Sequence, residues 1–121
     1  MDEWNKGLVA HLGIRIVEVT PERVVGELDV RDELKTTTAA VHGGTLMALA
    51  DTVGAVGTAA LGFKTATLES KTNFFAAATG GKLRAEATPL HKGKRSHVWQ
   101  TRVTDESGRL LSLTIQTQMI L

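Results

Sequence analysis

Residues 42–61 read HGGTLMALADTVGAVGTAAL, and this stretch decides the fold of the 121-residue chain. Small and apolar residues dominate it, which predicts a long helix over residues 43–61 with Gly62 as a C-terminal stop. Asp51 is its only formally charged residue. A carboxylate in an apolar helix is costly unless it is solvated, hydrogen-bonded or used in chemistry. A lone aspartate can also point at solvent, but no other charged residue marks a solvated face here, which favours a functional Asp51.

The start of this helix has chemistry of its own. Gly43 and Gly44 leave backbone N–H groups bare at the positive end of the helix, where a developing negative charge is stabilised. Gly43 and Asp51 are eight residues apart, or about 12 Å along a helix axis. An oxyanion donor and an acid must each lie within roughly 3 Å of the reacting group. If the two act together, they therefore come from antiparallel helices of a two-fold dimer.

Composition excludes several other classes of protein. The length predicts one domain over residues 1–121. A net charge of +1 gives no reason to expect nucleic acid or a membrane as a partner. The chain has no cysteine and starts with no apolar leader, which fits a cytoplasmic protein. The four histidines show no ligand spacing, so we expect no metal. Without a Gly-x-Ser-x-Gly motif, serine-based hydrolysis is unsupported.

The remaining segments predict an α+β fold. Residues 2–12 have the spacing of a short helix, and residues 14–19 and 24–30 have the alternation of a strand hairpin. After Lys64 the chain alternates in four further segments, which we expect to pair in meander order. Consecutive strands favour an antiparallel sheet with the long helix on one face. Apolar residues on both faces of several strands indicate that a second subunit covers part of the sheet.

The spacing of His42-Gly43-Gly44 and Asp51 resembles that of the hotdog-fold acyl-CoA thioesterases, specifically the phenylacetate-degradation and 4-hydroxybenzoyl-CoA (aroyl-CoA) types. Residues 90–94 (LHKGK), 98–100 (VWQ) and 105–110 (DESGRL) extend the resemblance over nearly the whole chain. It implies a hotdog fold, in which an antiparallel sheet of about five or six strands wraps around one long central helix. It also implies hydrolysis of an acyl-CoA or aroyl-CoA thioester to the free acid and coenzyme A.

The resemblance assigns roles to four residues. Asp51 is the nucleophile or the general base on water, and the Gly43 N–H polarises the thioester carbonyl. His42 orients the carbonyl or shapes the turn, and Thr67 lies where some relatives place a hydroxyl near the attacking water. One departure concerns Thr36, which stands where several relatives carry Gln or Asn. The thiolate is a good leaving group, so a carboxylate suffices for hydrolysis as the nucleophile or as the general base, without a strong general acid.

A basic stretch predicts the coenzyme site. Residues 82–102 carry eight Lys, Arg and His residues against one glutamate. They form either a cationic rim for the phosphates of coenzyme A or an ordinary solvated strand pair. The resemblance implies that His91, Lys94 and Arg95 contact the nucleotide, with a weaker case for Ser112. Coenzyme A is then part of the substrate, and no separate cofactor is expected.

Two other functions remain open at this point. A hotdog 3-hydroxyacyl dehydratase or hydratase needs a histidine acting with an acid, and His42 with Asp51 could serve. A non-catalytic acyl-CoA-binding protein is the alternative from another class, although it would not need a carboxylate in an apolar helix. We expect a homodimer, and a homotetramer built from such dimers. The acyl group, aromatic or aliphatic, is left open.

Overall fold

A computed structural model describes residues 2–121, which form a six-stranded antiparallel sheet with a long helix packed on one face. The helices are α1, Gly7–Leu12, and α2, Gly43–Ala59, with single 3-10 turns at Asp2–Trp4 and Asp32–Leu34. The strands are β1, Arg15–Thr20; β2, Arg23–Asp29; β3, Thr65–Phe74; β4, Lys82–Lys92; β5, Ser96–Thr104; and β6, Leu110–Ile120.

The strand order is β1-β2-β4-β5-β6-β3, and every neighbouring pair is antiparallel. The predicted meander is correct for β4, β5 and β6 but wrong for β3, which pairs with β6 at the far edge. Helix α2 lies across the whole sheet and contacts all six strands. The chain that leaves the helix therefore enters β3 at the edge opposite β1. The segment 75–81 then returns past the helix start, where the Val41 N–H donates to the Ala78 carbonyl at 2.8 Å.

Both predicted helices differ in their bounds from those observed. The helix predicted over residues 2–12 is broken, because Lys6 is extended and Gly7 has a φ of 55°. Only α1 is regular, and Gly13 ends it in the left-handed conformation (φ 78°). The long helix stops at Ala59 instead of residue 61, and Gly62 lies in the turn beyond it. Within residues 2–121, no helix is long and apolar enough to cross a membrane.

Glycines let α2 approach the sheet closely. A Cβ at Gly57 would lie 2.5 Å from the Trp99 ring, and one at Gly54 would lie 2.2 Å from the Gln116 side chain. Trp99 is fully buried below this indentation, and its Nε1–H donates to Thr58 Oγ1 at 2.9 Å. Alanine at either glycine would push the helix away from the strands.

The sheet face beneath α2 has two chemically different regions. The first, here called the apolar half, belongs to β2 and β4 and is fully buried: Val24, Leu28, Leu83, Ala85 and Ala87. The second, here called the polar strip, is the inward face of β6 and is equally buried: Ser112, Thr114, Gln116 and Gln118. The helix therefore packs on hydrocarbon along one side and on hydroxyl and amide groups along the other.

Candidate active site

Asp51 lies midway along α2 and is half-buried against β6 and β3. Thr67 Oγ1–H donates to its Oδ1 at 2.6 Å. Gln116 Nε2 donates to the same Oδ1 at 3.1 Å and to the Asp51 main-chain oxygen at 3.2 Å. Within residues 2–121, Oδ2 receives no hydrogen bond. The carboxylate is therefore anchored through one oxygen and free at the other.

Thr67 is itself held by a second buried amide. Gln118 Nε2 donates to Thr67 Oγ1 at 2.7 Å, and Gln118 Oε1 accepts from Thr65 Oγ1 at 2.9 Å. A hydroxyl that accepts from an amide is left with its own proton to donate. The Thr67 proton therefore points at Asp51, and a distance of 2.6 Å is typical of an O–H donor on a charged oxygen.

Asp51 is shared by two cavities. The Trp4 cavity, of about 260 Å³, is walled mainly by apolar groups: Trp4, Val9, Thr52, Ala55, Val56, Ala59 and Thr65. The Met47 cavity, of about 340 Å³, is lined by Leu8, Met47, Ala48, Thr67 and Ser70. A larger cavity of about 380 Å³, between segments 77–81 and 105–109, contains no candidate residue. The two cavities leave room for a substrate on both sides of the Asp51 carboxylate.

The helix start is built around His42. As the N-cap of α2, His42 accepts the Gly44 N–H on Nδ1 at 2.7 Å, which leaves the ring proton on Nε2. The Phe74 ring covers Gly43, where a Cβ would lie 3.2 Å from it. The Gly43 N–H has no acceptor within residues 2–121. This donor is free at the positive end of the helix.

Comparison with known proteins decides the family. Residues 38–112 match the family described as the Thioesterase superfamily. The chain belongs to the thioesterase superfamily. A 1,4-dihydroxy-2-naphthoyl-CoA hydrolase of Escherichia coli is 31% identical over 128 residues, which covers 100% of this chain and 90% of the relative. A putative esterase of Mycobacterium tuberculosis is 28% identical, and the match covers 85% of this chain and 78% of the relative.

Solved structures confirm the predicted hotdog fold of this thioesterase. A thioesterase from Haemophilus influenzae superposes with a TM-score of 0.94 at 25% identity, covering 99% of this chain and 86% of that one. The prediction of a thioester hydrolase is confirmed by the family and by these relatives. In the thioesterase, Thr67 lies against Asp51, whereas His42 and Gly43 lie at the start of the same helix, roughly two turns before Asp51.

The structure divides the basic stretch of the thioesterase into three groups. Lys82 and Arg84 form ion pairs with Glu27 (3.6 Å) and Glu86 (3.1 Å). Lys92 turns back to the Pro21 carbonyl and to the Glu22 carboxylate. Besides Lys92, three basic residues of the β4–β5 hairpin are exposed: His91, Lys94 and Arg95. Lys94 and Arg95 have no ion pair within the described part of the chain.

Ser112 and His97 are buried instead. Ser112 is fully buried, its hydroxyl has no hydrogen-bond partner within residues 2–121, and it lies opposite Phe74 and Val103. The hairpin meets β6 at Met119, seven residues away, or roughly 23 Å at 3.3 Å per residue. The structure therefore separates Ser112 from the three exposed basic residues. His97 is 3% exposed and bonds Thr58 Oγ1 through Nδ1 at 3.0 Å.

The state of His97 follows from its surroundings. Burial, followed by the nearby Lys92 ammonium, lowers the pKa of His97 below its usual value of 6.5. Its ring packs edge-on against Phe63, with centroids 5.6 Å apart. His97 is thus a neutral packing residue of the thioesterase, which fastens the first residues of β5 to the end of α2.

Two site residues escaped the sequence analysis: Gln116 and Gln118. The available signal was the alternation of β6, in which polar residues at 112, 114, 116 and 118 share one face. Leu113, Ile115, Thr117 and Met119 share the other, and apolarity made that face the more noticeable one. Only the pairing of β6 with β3 reveals that the polar face lies beneath Asp51.

A metal centre has no ligand set in this part of the chain. Within residues 2–121, no three His, Asp or Glu side chains are grouped as ligands for a metal ion.

Proposed function

We propose that this thioesterase hydrolyses an acyl-CoA or aroyl-CoA thioester to the free acid and coenzyme A, with Asp51 as the reacting carboxylate. One observation carries the proposal: Asp51 has one oxygen anchored and the other free beside two cavities. The relative from Escherichia coli is named for an aroyl-CoA substrate, which supports a coenzyme A thioester here.

The chemistry balances by two routes. In one, Asp51 Oδ2 attacks the thioester carbon and the C–S bond breaks, giving a mixed anhydride and the thiolate of coenzyme A; water then opens the anhydride. In the other, Asp51 removes a proton from water as the water oxygen attacks the same carbon. The products are identical. In both routes negative charge develops on the carbonyl oxygen and needs a donor.

That donor is the N–H of Gly43 of the partner subunit. Within one protomer Gly43 and Asp51 are eight residues apart on one helix, or about 12 Å, too far to meet at one carbonyl. The N–H of Gly43 has no acceptor within residues 2–121. A homodimer with antiparallel α2 helices supplies two equivalent sites, each with one acid and one helix start.

Strand β3 supports this dimer. It is ten residues long, pairs only with β6 and leaves its other edge open. Exposed edge strands pair readily with another copy. Thr67, near one end of β3, touches Asp51; Phe74, at the other end, touches Gly43. Antiparallel pairing of two β3 strands about their middle sets the Thr67 end of one beside the Phe74 end of the other. Asp51 then faces Gly43 of the partner subunit.

Exposed apolar groups along this edge support the same association. Leu68, Phe74 and Phe75 are between 49% and 64% exposed in the protomer. A second copy would remove them from water, at a gain of about 25 cal/mol per Å² buried. Two such dimers would form the homotetramer through the half-buried apolar outer face of β6. Sedimentation measures both states.

The coenzyme binds along the β4–β5 hairpin in this proposal. His91, Lys94 and Arg95 are exposed there, and the charges of Lys94 and Arg95 suit the phosphates of coenzyme A. The hairpin joins β6 through the Ile120 N–H, which donates to the Arg95 carbonyl at 2.9 Å. This junction lies two residues beyond Gln118, so a pantetheine arm can span from the hairpin to the acid. Ser112, which is fully buried in the protomer, stays the weaker prediction for a coenzyme contact.

A thiol-release assay over a panel of acyl-CoA and aroyl-CoA thioesters tests the activity. Wild type releases thiol, and Asp51→Asn lowers kcat by roughly a hundredfold or more while the fold, followed by circular dichroism, is retained. Equal turnover by the two proteins rejects the role of Asp51. Product analysis covers the alternatives: a dehydratase gives an enoyl thioester without free thiol, and a binding protein gives no product.

Mixed dimers test the shared site. Gly43→Pro removes the N–H at a helix position that accepts proline, and Gly43→Ala is the control that adds a Cβ but keeps the N–H. Each of Asp51→Asn and Gly43→Pro is inactive alone. A mixed dimer of the two recovers about one working site of its two. No recovery in the purified mixed dimer would show that acid and helix start act within one protomer.

A further inference from the structure

The inward face of β6 holds a pair of buried amides whose role the resemblance does not cover. We propose that Gln116 and Gln118 are positioning residues that anchor Oδ1 of Asp51, so that Oδ2 alone is presented to the thioester. This inference rests on the proposed function of Asp51. It assigns the orientation of the reacting oxygen to two residues outside the cavities.

Gln118 acts through Thr67. Its Nε2 donates to Thr67 Oγ1 at 2.7 Å, and its Oε1 is occupied by the Thr65 hydroxyl at 2.9 Å. The Asp51 carboxylate can only accept, so the single Thr67 proton goes to it, and the end of Gln118 that faces Thr67 must be the amide donor. The Thr67 hydroxyl then has one direction left for its own proton, toward Asp51 at 2.6 Å. Gln118 thereby orients the Thr67 hydroxyl as a donor to the Asp51 carboxylate.

Gln116 acts on Asp51 directly. Its Nε2 spans the Asp51 Oδ1 (3.1 Å) and main-chain oxygen (3.2 Å), which ties the side chain to its own helix turn. It reaches there because the helix is indented at Gly54, where a Cβ would lie 2.2 Å from Gln116 Oε1. Two donors converging on one oxygen fix the rotation of the carboxylate, since Oδ2 must then take the opposite position.

The burial of these amides indicates a role other than stability. Gln116 is 1% exposed and Gln118 is fully buried, yet Gln116 Oε1 has no partner within residues 2–121. A buried carbonyl oxygen without a hydrogen bond is unfavourable. An unbranched apolar side chain of the same length, such as Met, would fill this space without that cost. The amide of Gln116 is therefore useful only through the hydrogen bonds that its N–H group donates to Asp51.

The first test separates positioning from packing. Gln116→Met and Gln118→Met keep length and remove the donors, so we expect kcat to fall by roughly ten- to a hundredfold, as for a misplaced reacting group. KM should stay within about threefold, and the free energy of unfolding should fall by no more than the lost hydrogen bonds explain, about 1 kcal/mol each. Gln100→Met, on the outward face of β5, is the matched control and should change neither. Unchanged kcat in the folded Met variants, or an equal fall of kcat in Gln100→Met, overturns the proposal.

The second test asks whether Gln118 acts through Thr67. Thr67→Val removes the hydroxyl with little change in shape. In that background Gln118→Met should cost less than about twofold in kcat, because no hydroxyl is left to orient. Groups that act in series lose additivity in this way. Fully multiplicative losses in the double variant would show that Gln118 does not act through Thr67.

The reacting role of Asp51 and the positioning role of Gln116 and Gln118 are distinguished by different outcomes. If Asp51→Asn abolishes thiol release while both Met variants keep wild-type kcat, the function stands and the positioning role is wrong. If Asp51→Asn retains wild-type turnover, the carboxylate is not the reacting group and both are wrong. Loss of activity in all three, with the fold retained, supports both.

Discussion

The apolar half and the polar strip lie under the same helix but do different work. The apolar half contributes fully buried aliphatic groups such as Leu28 and Leu83, each stabilising the fold by about 1.5–3 kcal/mol. In the polar strip each hydrogen bond contributes only about 1 kcal/mol net, and Ser112 Oγ and Gln116 Oε1 have no partner in the described chain. The difference teaches that stability is concentrated in the apolar half, whereas two residues of the strip hold Asp51: Gln116 directly and Gln118 through Thr67.

The largest effect is expected in the apolar half. Leu83→Ala leaves a cavity below α2 and should lower the free energy of unfolding by about 2–5 kcal/mol. The kcat of the folded protein should remain near that of wild type, because Leu83 lies on β4, which does not pair with the strands that hold Asp51, β3 and β6. Urea denaturation and a thiol-release assay on the same preparation measure the two quantities. A loss below about 1 kcal/mol, or a large fall in kcat, would contradict the division of labour.

A variant at Gly54 should disturb both regions. In Gly54→Ala the new Cβ collides with Gln116, only 2.2 Å away, and overpacking of this kind costs about 1–3 kcal/mol. The displaced amide also loses Asp51, so kcat should fall as in Gln116→Met. Gly80→Ala is the control, because a Cβ there meets nothing within 4 Å. A wild-type kcat in Gly54→Ala would show that Gln116 does not contribute to the reaction.

The helix start offers a smaller test of stability. His42→Ala removes the cap on the Gly44 N–H and should cost about 1 kcal/mol. His42→Asn keeps a capping acceptor and should cost only a fraction of that. Thermal denaturation of the two variants measures the difference. Equal losses would show that the 2.7 Å contact of His42 Nδ1 does not stabilise α2.

The smallest effect concerns pH. Because the pKa of His97 is lowered by burial, the unfolded chain binds a proton near pH 6.5 that the folded chain does not. The contribution of His97 to stability is therefore complete above about pH 6.5 and falls as the pH drops toward the folded pKa. His97→Gln should reduce this slope of unfolding free energy between pH 7 and 5. An unchanged slope would assign it to other groups.

Much of the fold could be predicted from the sequence, because alternation and the long apolar segment are local signals. The strand segments, the long helix and the sheet with the helix on one face follow from them. The position of β3 does not, since meander and crossover orders share the same local pattern. Likewise, the break at Lys6 depends on the left-handed Gly7, which spacing alone does not reveal.

The site divides along the same line. Asp51 could be singled out as a charge in an apolar helix, and the resemblance added Thr67, which the structure places in contact with it. Gln116 and Gln118 required knowing which strand lies below Asp51 and which of its faces turns inward. For Ser112 the resemblance and the burial differ: the residue is fully buried in the protomer, and its contact with the coenzyme stays a prediction.

The glycines of α2 have a consequence for how the chain reaches its native state. Four glycines and several β-branched residues lie within Gly43–Ala59, and both types have low intrinsic helix propensity. A peptide of this segment alone should be largely unstructured in water. The helix gains its order only against strands distant in the sequence, which places its formation late, with the non-local contacts that slow the folding of β-rich domains.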